Sequence, residues 1–263
     1  MITLSELAIY PIKSTAQIQL NKANIGPFGL EMDRRWMLVD ENGVMLTQRE
    51  HAKMCLIQCV LANDGLSVNA ANMPDLEIPA PAPSSMVKAT VWEDTCNAYD
   101  CGDKAASWFS ECLNTTTRLV YFPEDERRQV DLTYAKQGDI TAFSDGFPYL
   151  LISQASLDDL NSRLDTAVEM KRFRPNIVIT GTEAFAEDTW KKIRIGDTTF
   201  DIVKPCSRCV IPTIDLETGE KGVEPIKTLA GYRMRDSKIY FGQNIIAEGE
   251  GHIEVGMPVE VLA

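Results

Sequence analysis

The chain has 263 residues, 44% hydrophobic and 24% charged, which is ordinary for a soluble globular protein built as one large β domain or two intimate ones. Its 38 acidic residues outnumber 26 basic ones, and the resulting net charge of −12 argues against nucleic acid or an anionic membrane as the main partner. No stretch has the apolar length of a membrane span, Met1 to Glu6 lacks the basic-then-apolar run of a signal peptide, and seven scattered cysteines form no framework, so a reduced, cytoplasmic protein is expected.

Ile2 to Ile12 reads as a strand ended by Tyr10-Pro-Ile-Lys-Ser14, where Lys13 and Ser14 offer an ammonium and a hydroxyl suited to an anion, or simply a solvated turn. Arg34 and Arg35 enter the strand Trp36 to Val39, as surface charges or as bidentate phosphate ligands. Asn42-Gly43 predicts a hairpin to Val44–Thr47, and Asp64-Gly65 predicts another between Met54–Ala62 and Leu66–Ala70. Pro74, Pro79, Pro81 and Pro83 mark a loop-rich stretch to Ser85, after which strands resume at Val87–Trp92 and Cys96–Tyr99.

Asp103 to Leu113 is the first clear helix, because Ala105, Trp108, Phe109 and Cys112 share one face at i, i+3, i+4, i+7. Strand Arg118–Phe122 follows, and the domain boundary is placed at 117, giving 1–117 and 118–263. Asp145-Gly146, before the apolar run Tyr149 to Ile152, is a turn signal or a functional carboxylate at a strand mouth. Ser156 with Asp159 predicts the start of a second helix whose core face is Leu157, Leu160 and Leu164. Lys171-Arg-Phe-Arg174 concentrates cations before Pro175, which turns Arg174 and Asn176 out of helix at the entrance of strand Ile177–Thr180.

Gly196-Asp197 joins Lys192–Ile195 to Thr198–Lys204, which delivers Cys206 and Cys209. Lys204 and Arg208 flank these cysteines, and nearby positive charge favours a thiolate. Pro205 and Pro212 bar a regular helix, so an extended segment is expected with Val210–Ile214 continuing as strand. Four readings of the pair stay open here: buried structural cysteines, a redox disulfide, half of a zinc site, or a single thiolate on a soft metal whose other ligands come from a cofactor. A short helix after Pro225 carries Ile226, Leu229 and Ala230, and strands Lys238–Ile246 and His252–Leu262 close the chain. About a dozen short strands and three helices imply a β-rich α+β protein with barrel-like closure. Lys13, Arg34, Arg174, Lys204 and Arg208 all fall near predicted strand ends, and basic groups gathered in so acidic a chain imply a bound anion.

Tyr10-Pro-Ile-Lys-Ser14, Asp33-Arg-Arg-Trp36, Phe143-Ser-Asp-Gly146, Arg172-Phe-Arg-Pro-Asn176, Cys206-Ser-Arg-Cys209, Asp215-Leu-Glu-Thr-Gly219 and Phe241-Gly-Gln243 occur in the order seen in MOSC-domain proteins. The chain resembles the branch with an N-terminal β-barrel domain, which includes the mitochondrial amidoxime reducing component and bacterial hydroxylaminopurine reductases. That resemblance implies a MOSC-type β-barrel with a smaller N-terminal β domain packed on it. It implies a molybdenum cofactor (Mo-molybdopterin), with Cys209 as the protein thiolate on the metal and Cys206 and Ser207 lining the same site. Lys13, Ser14 and Arg34 match one anchoring segment, Arg174 and Asn176 a second, and Asp145, with Gly146 and Phe147 beside it, a carboxylate near the metal that is a candidate proton relay.

The implied chemistry is two-electron reduction of a small N-hydroxylated substrate. No cysteine follows Cys209, where some relatives carry a fused iron–sulfur domain, so a separate ferredoxin- or flavoprotein-like electron donor is expected. Arg35 and Asn244 stand where relatives have aromatics, which bears on substrate preference. The rival expectations are a sulfur or cofactor carrier and a structural protein with a vestigial site. A carrier would need a partner, because the chain has no room for the pyridoxal-phosphate desulfurase domain fused to some relatives.

Overall fold

The computed structural model describes residues 1–63, 65–79 and 85–263; Asp64, Pro81 and Pro83 of the predicted turns lie outside them. A central sheet runs in the order Val259–Val261, Lys192–Ile195, Thr198–Ser207, Lys238–Ala247, Tyr149–Ser153, Ile177–Thr180, Thr3–Ile9 and Ile18–Leu20. It closes on itself: Leu4 N donates to Met257 O at 2.9 Å and Val259 N to Ile2 O at 3.0 Å, so the first strand meets the last segment of the chain. Tyr149–Ser153 and Ile177–Thr180 run parallel, joined through the helix Gln154–Asn161.

Alternation along these strands divides the apolar residues between two cores. Leu151, Ile177 and Ile179 face the barrel interior with Leu4, Leu7, Ile9 and Phe200. Leu150, Ile152 and Val178 face the other way, under Leu157 and Leu160 of Gln154–Asn161 and Leu229 of the helix Ile226–Arg233. Burial on both faces is why these strands read as unbroken apolar runs.

Trp36–Val39, Arg118–Tyr121, Asp94–Asp100 and Met86–Val91 form a four-stranded sheet, and Gln58–Ala62, Gly65–Asn69 and Leu76–Pro79 a three-stranded one. The helix Asp103–Leu113 forms as its periodicity predicts, packing Ala105, Trp108 and Phe109 against Trp36, Leu38 and Val68. The strand Arg118–Tyr121 completes the N-terminal four-stranded sheet, while Thr3–Ile9 belongs to the central one. The two halves of the chain therefore share sheets across residue 117.

Three local expectations shift outside the cysteine stretch. Met54 to Leu56 is a 3-10 turn rather than strand, because Met54 and Cys55 are buried in succession and a half-buried strand alternates. The Asn42-Gly43 turn forms, but Val39 and Met45 make a single bridge and Met45 N turns to Thr90 O. The second helix starts at Gln154, capped by Ser153, whose hydroxyl accepts from Ser156 N at 3.1 Å. Ser156 had the expected capping pattern but lies one turn inside.

Candidate functional site

The buried Tyr10 ring organises one wall of a cleft. Its main-chain N–H donates to Asp33 Oδ1 at 2.8 Å, and its hydroxyl reaches Pro175 O at 3.1 Å, tying the turn after the first strand to two distant segments. The guanidinium carbons of Arg34 and Arg174 lie 4.2 and 4.0 Å from its ring centroid. Arg34 Nη1 donates to Asp33 Oδ2 at 2.6 Å and to Asn176 Oδ1 at 2.9 Å, and Arg174 Nη1 to Thr15 O at 2.6 Å. Asn176 also receives Leu150 N and donates to Ala8 O, so its side chain is committed to holding strands and Arg34 in place. Burial pulls the Arg174 guanidinium down to about 10, the charge of Arg34 adding to the effect, and burial pushes Tyr10 up to about 12.

Across the cleft, four successive carbonyls of the loop Ala142 to Asp145 accept from cations. Arg128 donates to Ala142 O, Ser144 O and Asp145 O at 2.9, 2.6 and 3.2 Å, and Lys13 Nζ to Phe143 O at 2.8 Å. The loop presents Asp145, whose Oδ1 accepts from Lys13 Nζ at 2.5 Å and from Trp92 Nε1 at 3.2 Å. Burial draws the Lys13 ammonium down and the Asp145 charge pulls it back. Desolvation pushes the Asp145 carboxyl upward, but Lys13 and the Trp92 hydrogen bond outweigh it and hold the group well below its ordinary 3.8.

A carboxyl with a depressed folded-state pKa contributes stability that is complete above its unfolded value and is lost as pH falls through the folded one. The Asp145 side chain is 65% exposed, so the contribution is small. Thermal melts of wild type and Asp145→Asn are expected to differ by a constant amount from about pH 5 to 8, the gap closing below about pH 4. A gap that widened or closed between about pH 6 and 8 would show that Asp145 titrates near neutrality instead.

The cysteine stretch forms the third wall. The strand Thr198–Ser207 carries Cys206 to its end, and Arg208 then fixes the chain: its N–H donates to Ile239 O at 2.7 Å, Nε to Phe241 O at 2.8 Å and Nη1 to Phe173 O at 2.9 Å. Burial pushes the Cys206 thiol up. Beyond Cys209 the expected strand Val210–Ile214 is a 3-10 turn, Ile211–Thr213, because Pro212 has no N–H for a ladder and Thr213 N returns to Val210 O. Lys204 does not join the cation group: it lies inside the strand, over the Tyr134 ring at 4.1 Å. Arg35 also points elsewhere, to Phe122 O and Glu124.

The cleft encloses about 930 Å³ of non-protein space, open mouth included. Six cations line it, Lys13, Arg34, Arg49, Arg172, Arg174 and Arg208, against the single carboxylate of Asp145. Ser14, Arg34, Trp92 and Arg174, all on its wall, hold left-handed backbone with φ of 71°, 46°, 55° and 58°. Non-glycine residues adopt that conformation at a cost, and such strain gathers at functional sites. Among the described residues, no group of three or more His, Cys, Asp or Glu is placed to hold a metal by protein ligands alone.

The model of the MOSC N-terminal beta barrel domain matches residues 1–116, and that of the MOSC domain matches residues 139–260. The chain belongs to the MOSC-domain family. It is 38% identical over 280 residues to mitochondrial amidoxime-reducing component 1 of Mus musculus, covering 99% of this chain and 82% of that protein. The same component of Homo sapiens is 37% identical over 281 residues, with 99% and 83% covered. Component 2 of Rattus norvegicus is 37% identical over 278 residues, with 98% and 82% covered. No helix among the described residues is long and apolar enough to cross a membrane.

The cleft lies between the two matched MOSC segments. The N-terminal barrel segment supplies Lys13, Ser14, Arg34, Thr47, Arg49 and Trp92. The MOSC domain supplies Asp145, Gly146, Phe147, Arg172, Arg174, Asn176, Cys206, Ser207, Arg208 and Cys209. Every site residue that the family resemblance implies thus lines one cavity, whereas Lys204 of the expected cation group does not. Sequence reading missed Arg49 and Trp92, which sit in ordinary polar and strand contexts, and Arg128, which lies between the matched segments in a charged loop. The left-handed φ of Trp92 leaves no trace in its residue type.

Proposed function

We propose that the MOSC cleft binds a molybdenum cofactor and reduces N-hydroxylated compounds, taking electrons from a separate ferredoxin- or flavoprotein-like donor. The observation that carries this reading is the convergence of six cations and two thiols on a cavity with one carboxylate. Four lining residues, Arg49, Ser144, Tyr149 and Arg208, also carry buried polar atoms without a protein partner, which suits a polar, anionic guest. Cys209 is the soft ligand for the metal, while Lys13, Ser14, Arg34 and Arg174 hold the anionic organic part. Asn176 keeps Arg34 aimed into the cleft, and Cys206 and Ser207 line it beside the metal. When bound, the cofactor supplies the two-electron reduction of an N–O bond to N–H with release of water. Asp145 is ionised at neutral pH and touches the Lys13 ammonium, so in a relay Lys13 Nζ holds the transferable proton and Asp145 Oδ1 orients it. The relatives' names, which describe amidoxime-reducing components, support the same substrate class.

The test is metal analysis and pterin fluorescence on protein purified from a cofactor-producing host, with benzamidoxime reduction followed using a reduced viologen dye. About one molybdenum and one pterin per chain, with turnover, is the expected result. Absence of both metal and pterin would sink the proposal. Cofactor bound without turnover would point instead to a carrier that passes it, or sulfur, to another enzyme.

A further inference from the structure

Arg49 differs from the other cations of the cleft. Arg34 is paired with Asp33, Lys13 with Asp145 and Arg172 with Asp215. Arg174 and Arg208 donate to main-chain carbonyls. The Arg49 side chain makes no hydrogen bond and no ion pair among the described residues, and its Nε is buried without a partner. Its guanidinium carbon rests 4.2 Å from the centroid of the Trp92 ring, a contact that orients it.

The main chain of Arg49 is nonetheless firmly placed. Its N–H donates to Thr47 Oγ1 at 3.1 Å, and its carbonyl accepts from Lys221 Nζ at 2.6 Å. Trp92 is fixed in turn by its strained left-handed backbone and by the Nε1 bond to Asp145. A guanidinium Nε closed off from water with no acceptor is costly, and in a chain with 12 more acidic than basic residues carboxylates are plentiful. An unpaired, pre-oriented arginine on a cavity wall is the arrangement that receives a carboxylate or phosphate from outside, through its planar fork of donors.

Two parts of the guest have the chemistry to fill it: the phosphate of a cofactor, or an acidic group on the substrate. Position favours the substrate. The cations around Tyr10 form the buried end of the cleft, since that ring is only 1% exposed. Arg49 rests on Trp92, which is 40% exposed, and Trp92 reaches the exposed Asp145. Arg49, Trp92 and Asp145 therefore form the outer side of the cleft.

We propose that Arg49, seated on Trp92, is the receptor for an anionic substituent, so the site selects N-hydroxylated compounds that carry a carboxylate or phosphate remote from the N–O group. This rests on the N-reductase reading and names the substrate class within it. Trp92 acts as the positioning residue that keeps the guanidinium aimed.

The test compares binding of benzamidoxime and its 4-carboxy derivative to the purified holoprotein by calorimetry, in wild type, Arg49→Gln, Arg49→Lys and Trp92→Phe. Molybdenum and pterin content and the melting temperature are recorded for each. Wild type is expected to bind the carboxylate roughly tenfold tighter than the neutral compound, a preference that weakens with added salt. In Arg49→Gln the ratio of the two dissociation constants falls to near one with cofactor content retained, while Arg49→Lys restores part of it. Trp92→Phe keeps a face for the guanidinium but loses the bond to Asp145, and is expected to give an intermediate ratio. An unchanged preference in Arg49→Gln, or none in wild type, overturns the proposal. Loss of pterin in Arg49→Gln overturns it too, by assigning Arg49 to the cofactor. Should wild type hold no molybdenum, the same calorimetry on that protein still decides whether Arg49 selects the carboxylate, so failure of the reductase reading and failure of this one are distinguishable.

Discussion

Cys209→Ala is expected to lose its molybdenum and all N-reductase activity, whereas Cys206→Ala keeps at least part of both. The two thiols are three residues apart and line the same cleft, but their surroundings differ. Cys206 ends a paired strand and packs against the core under the helices, with burial pushing its thiol up. A thiol in that condition gives up its proton reluctantly and is a poor ligand. Cys209 lies past the strand, in the short segment that Arg208 pins at three backbone carbonyls, so it is held without being built into the sheet. Removing a metal's protein ligand exceeds the roughly 10–100-fold loss in affinity typical of outer-shell changes. Inductively coupled plasma mass spectrometry on the two variants decides the matter. Retention of molybdenum by Cys209→Ala and its loss from Cys206→Ala would mean the ligand is misassigned.

Gly242→Ala is expected to be among the most damaging substitutions in the barrel, although it adds one methyl group. Gly242 has φ of +81°, and a Cβ there would lie 2.6 Å from Ile152 Cγ1 and 2.8 Å from Leu151 O, with Arg208 Nη2 at 3.4 Å. The register of Lys238–Ala247 against Thr198–Ser207 slips at this point: Pro205 faces Gln243, but Ser207 faces Tyr240. This bulge turns Phe241 O toward Arg208 Nε, so the glycine shapes the anchor of the cysteine segment. Backbone strain plus a clash with a main-chain oxygen is worth roughly 3 kcal/mol or more. For a chain of this size that lowers the melting temperature by about 6–12 °C, and pterin occupancy should fall with it. A melting temperature within about 2 °C of wild type would show that the sheet yields easily here.

Much of the fold was legible because it is written in period. Asp103–Leu113 repeats its apolar residues every three to four positions, and Lys192–Ile195 with Thr198–Ser207 flank a glycine turn. The second helix was misplaced by one turn because Ser153 and Ser156 are equally good caps by type, and the choice fell to Ser153 through the buried Glu187, which accepts from both residues. Val210 to Ile214 looked like strand because it is apolar, yet Pro212 removes the donor a ladder needs. At the site, Lys13, Arg34, Arg174 and the cysteines were found through short motifs whose order matched a family. Arg49, Trp92 and Arg128 escaped because their partners lie 14 to 53 residues away, in contacts such as Arg128 to Ala142 and Trp92 to Asp145. Nothing local marks a guanidinium that grips a loop 14 residues on, or one whose Nε has no hydrogen-bond partner among the described residues.

The hydrogen bonds between residues 2–4 and residues 256–259 also constrain how the protein is made. A nascent chain emerges from its N-terminus, so the first strand must wait, unsealed, until residues 256–259 have left the ribosome. The turn bearing Lys13 and Ser14 continues directly from that strand and shares its delay. The barrel therefore closes beside the pocket only after residues 256–259 have been made, and a guest that needs the closed barrel must be loaded after that point.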